Sequence, residues 1–231
     1  MKVAVISDIH ANIFALDAVY KDLEKEKVTH ILVAGDLVGY YYWPKEVIER
    51  LRNDDRVTCI KGNHEKNFME TLISKESADF LRKKYGSGYD VCQKELSCDD
   101  IDWLLALPQT KKLIINNCDF YLSHGSLNSI DEYLYPDASL NFILENYSSC
   151  KFTIFGHTHY PFIHTNKDKV LINPGSVGQP RDRGGLSSYV IIDTDNFSIK
   201  FKRLAFDFLK ITETAKLKDP SLEYLWKIMS R

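Results

Sequence analysis

Short apolar runs recur along the chain, each rich in β-branched or aromatic residues and bounded by Gly, Asp or Asn. Runs of this length and composition are typical of buried strands. They predict strands over residues 2–7, 30–35, 57–62, 118–125 and 151–157.

Helical periodicity separates the first three of these strands. After Asn12, a plausible N-cap, apolar residues follow at the spacing of one helix face: Ile13, Leu16, Val19, Tyr20 and Leu23. A second helix over residues 44–54 begins near Pro44, which suits the first helical turn. The first third therefore predicts a β-α-β-α-β unit with parallel strands and right-handed crossovers.

The predicted secondary structure changes twice along the rest of the chain. Residues 65–107 are predicted to be largely helical, and strands and turns follow residue 150, with a hairpin around residues 193–196. A one-sided helix is predicted at about 219–230, able to pack on the body or on a partner. Without repeats or a linker, residues 1–231 are expected to form a single domain in which helices cover sheets.

Side chains that can bind metals follow the predicted strands. The carboxyl ends of strands in a parallel sheet share an edge, where the loops build a site. Five of the seven histidines fall in these loops. The polar residues at the strand ends are Asp8, His10, Asp36, Asn63, His64, His124, His157 and His159.

The ligand types indicate what such a site would bind. Asp, His and Asn without thiolates suit Mn²⁺, Fe, Zn²⁺, Co²⁺ or Ni²⁺, and geometry alone does not choose among them. These candidate ligands are too many for one ion, whereas two ions that share a bridging carboxylate would account for their number. A pair of ions about 3.5–4 Å apart is the usual device for in-line phosphoryl displacement.

The ordered blocks SDIHAN, GDLVGY, GNHE, SHGS and GHTH resemble those of the calcineurin-like metallophosphoesterases. Further segments, including NPGSVGQPRD, resemble the small prokaryotic branch similar to the YfcE phosphodiesterase, and the likeness extends to about residue 200. The resemblance implies an α/β fold, an αββα sandwich of two mixed β-sheets flanked by helices, with two divalent transition-metal ions, manganese foremost.

The resemblance also implies a role for each residue. One ion would be held by Asp8, His10, Asp36 and His159, and the other by Asp36, Asn63, His124 and His157. Asp36 would then bridge the ions, and hydrolysis would proceed by attack of a metal-bound hydroxide. His64 would donate a proton or stabilise charge, although a helix-capping role for it stays open.

Departures from the family pattern bear on the substrate. The arginines of the GDxVDRG and RGNHE motifs of protein Ser/Thr phosphatases are absent, since this chain has GDLVGYY and KGNHE. This favours a phosphodiesterase acting on a small or nucleotide-like diester, contacted by Asn63, His64 and Arg181. For Arg181, a surface ion pair with a nearby Asp is the alternative. A phosphomonoesterase, a phosphoprotein phosphatase and a non-catalytic scaffold on the same fold are the alternative functions.

Composition and charge bear on the partners and the cellular location of the protein. The aromatic run 40–43 could stack on a base or pack locally, and local packing is the simpler interpretation. A net charge of −2 gives no sign of a nucleic-acid polymer as partner. Five cysteines without a C-x-x-C pair, and no apolar run long enough for a membrane span, predict a cytoplasmic protein. Self-association stays open.

Overall fold

The computed structural model describes residues 1–231, which form ten strands and nine α-helices. The ten strands are β1 (Lys2–Ile6), β2 (His30–Val33), β3 (Val57–Cys59), β4 (Thr110–Ile115), β5 (Cys118–Ser123), β6 (Phe152–Ile154), β7 (Phe162–Asn166), β8 (Lys169–Asn173), β9 (Leu186–Asp193) and β10 (Ser198–Ala205). The nine α-helices are α1 (Ile13–Glu26), α2 (Pro44–Arg52), α3 (Asn63–Ile73), α4 (Lys75–Tyr85), α5 (Gly88–Glu95), α6 (Cys98–Ala106), α7 (Leu140–Glu145), α8 (Leu209–Lys218) and α9 (Tyr224–Lys227).

The strands form two five-stranded sheets, ordered β10-β9-β1-β2-β3 and β4-β5-β6-β8-β7. In the first sheet β1, β2 and β3 are parallel, while β9 runs antiparallel to both β1 and β10. In the second, β5, β6 and β8 are parallel and the edge strands are antiparallel. Both sheets are therefore mixed, and the predicted sandwich of two mixed sheets flanked by helices is confirmed.

Alternation along β1 shows how the layers pack. Val3 and Val5 join an apolar cluster that also includes Phe120 and Phe152 of the second sheet, whereas Ala4 and Ile6 belong to a larger cluster shared with the helices. Both faces of β1 are thus buried, which explains its unbroken apolar sequence. Asn12 caps α1 by accepting a hydrogen bond from the backbone N–H of Ala15.

The helical segment between residues 63 and 106 is divided among α3, α4, α5 and α6. The terminal helix is shorter than the predicted 219–230, because α8 ends at Lys218 and α9 begins only at Tyr224, followed by a 3₁₀ turn, Ile228–Ser230. The buried carboxylate of Asp219 accepts hydrogen bonds from Ser87 and from the hydroxyl of Tyr42, which fixes the chain at this break. None of the helices has the length and apolar character needed to cross a bilayer.

Candidate metal centre and active site

The loops that leave β1, β2, β3, β5 and β6 converge on one edge of the sandwich. Most of the candidate ligands on them have left-handed backbone conformations, which are uncommon outside glycine and concentrate at functional sites. Positive φ angles of 53° to 67° occur at Asp8, His10, Asp36, His157 and His159. All five are buried. Local strain is therefore concentrated where the predicted ligands lie.

The first predicted group of ligands is brought together. A ligand atom from each of Asp8, His10, Asp36 and His159 lies within 4.8 Å of the others. Nε2 of His10 is 3.0 Å from Nε2 of His159, and the latter is 3.3 Å from Oδ1 of Asp8. Adjacent nitrogen ligands of one ion, each about 2.1 Å from it, are separated by about 3 Å.

The second group shares Asp36 with the first. Ligand atoms of Asp36, His124 and His157 also lie within 4.8 Å of one another. Nε2 of His124 is 3.1 Å from Oδ2 of Asp36 and 3.0 Å from Oδ1 of Asn63. The sequence-predicted set is thus arranged as two clusters joined by one carboxylate.

Hydrogen bonds orient three of the imidazoles so that Nε2 faces the cluster. Nδ1 of His10, His124 and His159 lies 3.2, 2.7 and 2.7 Å from the carbonyl oxygens of Val38, Ala34 and Gln179. A carbonyl only accepts, so each Nδ1 carries the proton. With both rings neutral, the Nε2 lone pairs of His10 and His159 would face each other, an arrangement that a shared cation would satisfy.

His157 tests independently whether the residues of the second cluster fit a metal ion. Its side chain is buried, and its Nε2 is an orphaned polar atom without any hydrogen-bond partner. Burial, followed by the neighbouring His124, lowers the pKa of His157 to about 4, so its lone pair is free at neutral pH. For Asp8, burial alone would raise the pKa, but His159 lowers it to about 2. For His124, burial alone would lower the pKa, but Asp36 raises it to about 10, so this ring would release a proton to a bound metal. Carboxylates and imidazoles in this arrangement fit divalent transition metals.

Glu65 holds the loop that carries Asp36, a role that its position on α3 does not reveal from sequence. Its buried carboxylate accepts four backbone N–H groups, from Gly62 at 2.6 Å, Asp36 at 2.9 Å, Leu37 at 2.8 Å and Val38 at 3.1 Å. Gly62 is required here because a Cβ at this position would lie 2.1 Å from Oδ1 of Asp36. Glu65, in the first turn of α3, therefore also holds the loop after β2 in place.

His64 lies beside the first cluster, with its ring 4.7 Å from that of His10. Its Nδ1 is 2.7 Å from the hydroxyl of Tyr89, on α5, and both side chains are buried. When the hydroxyl donates to Nδ1, the imidazole proton lies on Nε2. Burial lowers the pKa of His64 to about 4. Nothing in the sequence pointed to Tyr89.

The aromatic run 40–43 lies inside the protein, as the local-packing interpretation expected. Tyr40, Tyr41 and Tyr42 are buried and Trp43 is half-buried, so the run presents no open face for a base. The ring of Tyr40 lies 4.6 Å from that of His10 and 4.7 Å from that of His64. The ring of Tyr40 therefore packs against both of these imidazoles.

Arg181 does not form the surface ion pair that was the alternative to a contact with the substrate. Its Nη2 donates to the hydroxyl of Tyr40 at 3.3 Å, and the nearby Asp182 pairs with Arg203 instead. With Tyr135 and Tyr160, Arg181 lines a cavity of about 550 Å³. The guanidinium is therefore anchored to a ring that packs on His10 and His64.

Together the sandwich and its cluster of Asp, Asn and His ligands define a metallophosphoesterase. Residues 1–197 match the calcineurin-like phosphoesterase superfamily domain, and the chain belongs to that family, which confirms the resemblance noted from its sequence blocks.

Three relatives show how far the similarity extends. The uncharacterized protein MJ0912 of Methanocaldococcus jannaschii is 32% identical over 228 residues, covering 91% of this chain and 90% of its own length. The phosphodiesterase YfcE of Escherichia coli is 23% identical, covering 86% and 91%. A crystal structure of a metallophosphoesterase from Sphaerobacter thermophilus superposes with a TM-score of 0.80 at 27% identity, covering 100% and 99%.

Proposed function

We propose that the protein is a phosphodiesterase with two divalent metal ions, manganese foremost, acting on a small or nucleotide-like phosphodiester. One observation carries the proposal: two buried clusters of ligand atoms share the carboxylate of Asp36. Asp8, His10 and His159 would complete the first metal site, and Asn63, His124 and His157 the second. When bound, such a pair supplies Lewis acidity and lowers the pKa of a bound water.

The residues around the clusters would position the substrate. With the Tyr89 hydroxyl donating to its Nδ1, His64 would carry its proton on Nε2 and donate a hydrogen bond to a phosphoryl or leaving-group oxygen. This supports the charge-stabilising role of His64 over proton donation by an imidazolium. The amide nitrogen of Asn63 remains free to contact the phosphate if its oxygen faces the metal. Arg181 would reach the phosphate from the Tyr40 side of the site.

The charge of the site favours a diester over a monoester. A phosphomonoester brings close to two negative charges, and a diester brings one. Lys61 replaces the arginine of RGNHE, and its Nζ donates to the carbonyl oxygen of Leu105 at 2.8 Å. The segment GDLVGYY, which corresponds to GDxVDRG, contains no basic residue. Neither position therefore supplies a free cation to the site. A cavity of about 540 Å³ that reaches Asn63 and His157, and another of about 550 Å³ at Arg181, would leave room for two organic groups on one phosphate.

Turnover of bis(p-nitrophenyl) phosphate by the Mn²⁺-loaded chain tests the proposal. The expected result is metal-dependent release of p-nitrophenol that exceeds release from p-nitrophenyl phosphate and disappears in Asp36→Asn. Asp193→Asn, at the end of β9, serves as the matched control and should retain activity. Absence of metal-dependent turnover with either ester would instead favour the non-catalytic scaffold, and faster turnover of the monoester would favour a phosphomonoesterase.

A further inference from the structure

A cleft of about 540 Å³ opens directly from the second ligand cluster. Asn63 and His157 form its inner end, α3 and α4 form one wall, and the segment containing Asp131 and Tyr133 forms the other. His157 is 5% exposed, and its Nε2 has no partner within the protein. A molecule held in this cleft would therefore meet the candidate metal centre at one end.

Flat aromatic faces line the cleft although such side chains are normally buried. Phe80, on α4, is 63% exposed, and Tyr133, on the opposite wall, is 46% exposed. The ring of Tyr133 is fixed in place, 4.0 Å from the ring of His157 and 5.5 Å from the nearly parallel ring of Tyr135. Stacking on a base needs only such a face and contributes about 1–3 kcal/mol per base.

The charges of the cleft determine what else it can accept. Lys84 is the one basic residue among the lining residues, against three carboxylates. Asp131 pairs with Lys66 at 3.3 Å, but Glu70 and Glu76 form no ion pair. Unpaired carboxylates accept hydrogen bonds from hydroxyl groups and repel phosphates. The cleft therefore suits an aromatic group with hydroxyls and disfavours a polyphosphate.

We infer that this cleft binds the nucleoside of a substrate with a single phosphate, a nucleoside phosphodiester, with the base against Phe80 and Tyr133. The ribose hydroxyls face Glu70 and Glu76, and the phosphate lies at the inner end near Asn63 and His157. The inference rests on the proposed function and specifies its substrate. It assigns base recognition to α4 and the segment at Tyr133, in place of the buried aromatic run 40–43.

Three chromogenic diesters with one leaving group test the inference on the Mn²⁺-loaded full chain. They are the p-nitrophenyl ester of thymidine 5′-monophosphate, methyl p-nitrophenyl phosphate and p-nitrophenyl phosphorylcholine. The expected kcat/KM for the thymidine ester exceeds that for the methyl ester by at least about fivefold, the low end of one stacked base. Phe80→Ala should bring this ratio close to one, while Leu217→Ala, at an 83% exposed site on α8, should leave it unchanged.

The alternative outcomes separate the two proposals. Equal kcat/KM for the thymidine and methyl esters, or a ratio unaffected by Phe80→Ala, overturns the nucleoside assignment but leaves the phosphodiesterase intact. Preference for the phosphorylcholine ester identifies the cleft as a cation site of aromatic rings and carboxylates, which also overturns the assignment. No metal-dependent turnover of any of the three overturns the proposed function itself and the inference with it.

Discussion

The hydroxyl of Tyr89 lies 2.7 Å from Nδ1 of His64, and both side chains are buried. A neutral phenol thus orients this imidazole, and burial raises the pKa of Tyr89 well above its usual value, so the hydroxyl stays protonated. With the phenol as donor, the contact favours the His64 tautomer that can donate from Nε2 into the site. It also connects α5, which is remote in sequence from every ligand motif, to the proposed chemistry.

Tyr89→Phe should reduce kcat about fivefold, the value of one buried hydrogen bond of about 1 kcal/mol, with little change in KM. Nitrogen chemical shifts of His64 should show the tautomer ratio moving away from the Nε2–H form. Tyr147→Phe is the matched control, because Tyr147 makes the same 2.7 Å contact to His164 far from the clusters. Equal effects of the two variants on kcat would contradict an orienting role for Tyr89.

His64→Ala should leave metal content unchanged, because His64 belongs to neither ligand cluster. Hydrolysis should slow by about 10²-fold or more, and the loss should grow as the leaving group becomes poorer, since stabilisation of the leaving oxygen then matters most. A series of aryl diesters of increasing phenol pKa measures this trend, with His30→Ala as control. A uniform loss across the series, or a loss of bound metal, would assign His64 a structural role.

Glu65→Gln should destabilise the protein by about 1–3 kcal/mol, because one amide N–H₂ would then face backbone N–H groups that now share four hydrogen bonds with the carboxylate. Urea unfolding of the metal-free protein measures this free energy. Glu49→Gln, at an exposed site paired only with Lys45 at 3.9 Å, should change it by less than about 0.5 kcal/mol. Similar values for the two variants would show that Glu65 does not hold the Asp36 loop.

The stability of the fold should depend on pH through Glu26, which lies outside the candidate site. Its carboxylate accepts hydrogen bonds from Lys2 and from Lys202, each at 2.8 Å, and these lower its pKa from 4.5 to about 2. A depressed carboxyl pKa stabilises the fold above the unfolded value, and this stabilisation is lost as the pH falls toward the folded value.

Glu26→Gln should therefore lower the unfolding free energy by about 0.5 kcal/mol at about pH 6, and by progressively less toward about pH 3.5. Urea unfolding of both proteins at the two pH values measures the difference. A difference that is constant or grows as the pH falls would contradict the assignment of the shifted pKa to Glu26.

The sequence predicted the parts of the molecule that depend on local patterns. The unbroken apolar run of β1, the spacing of α1 and the capping Asn12 follow from burial and helix geometry. The gathering of Asp8 and Asp36 follows from parallel strands that share an edge. These contacts could be predicted because the chain topology alone brings the residues together.

The remaining features depend on how helices pack in three dimensions, which local patterns do not encode. The contact of Tyr89 with His64 requires the placement of α5, and the four bonds of Glu65 require the exact path of the loop after β2. The break between α8 and α9 depends on the buried Asp219 and its distant partners. Burial of Tyr40 likewise follows from packing against Tyr85 and Tyr224.

The number of Mn²⁺ ions bound per chain tests the central claim most directly. Metal-free protein is titrated with Mn²⁺ by calorimetry, and bound metal is measured by mass spectrometry, for the wild type and for Asp36→Asn, His157→Ala and His159→Ala. The predicted result is two ions for the wild type, one for each histidine variant and a severe loss of both in Asp36→Asn. A single ion in the wild type, or complete loss of metal in His157→Ala or His159→Ala, would contradict two sites joined by Asp36.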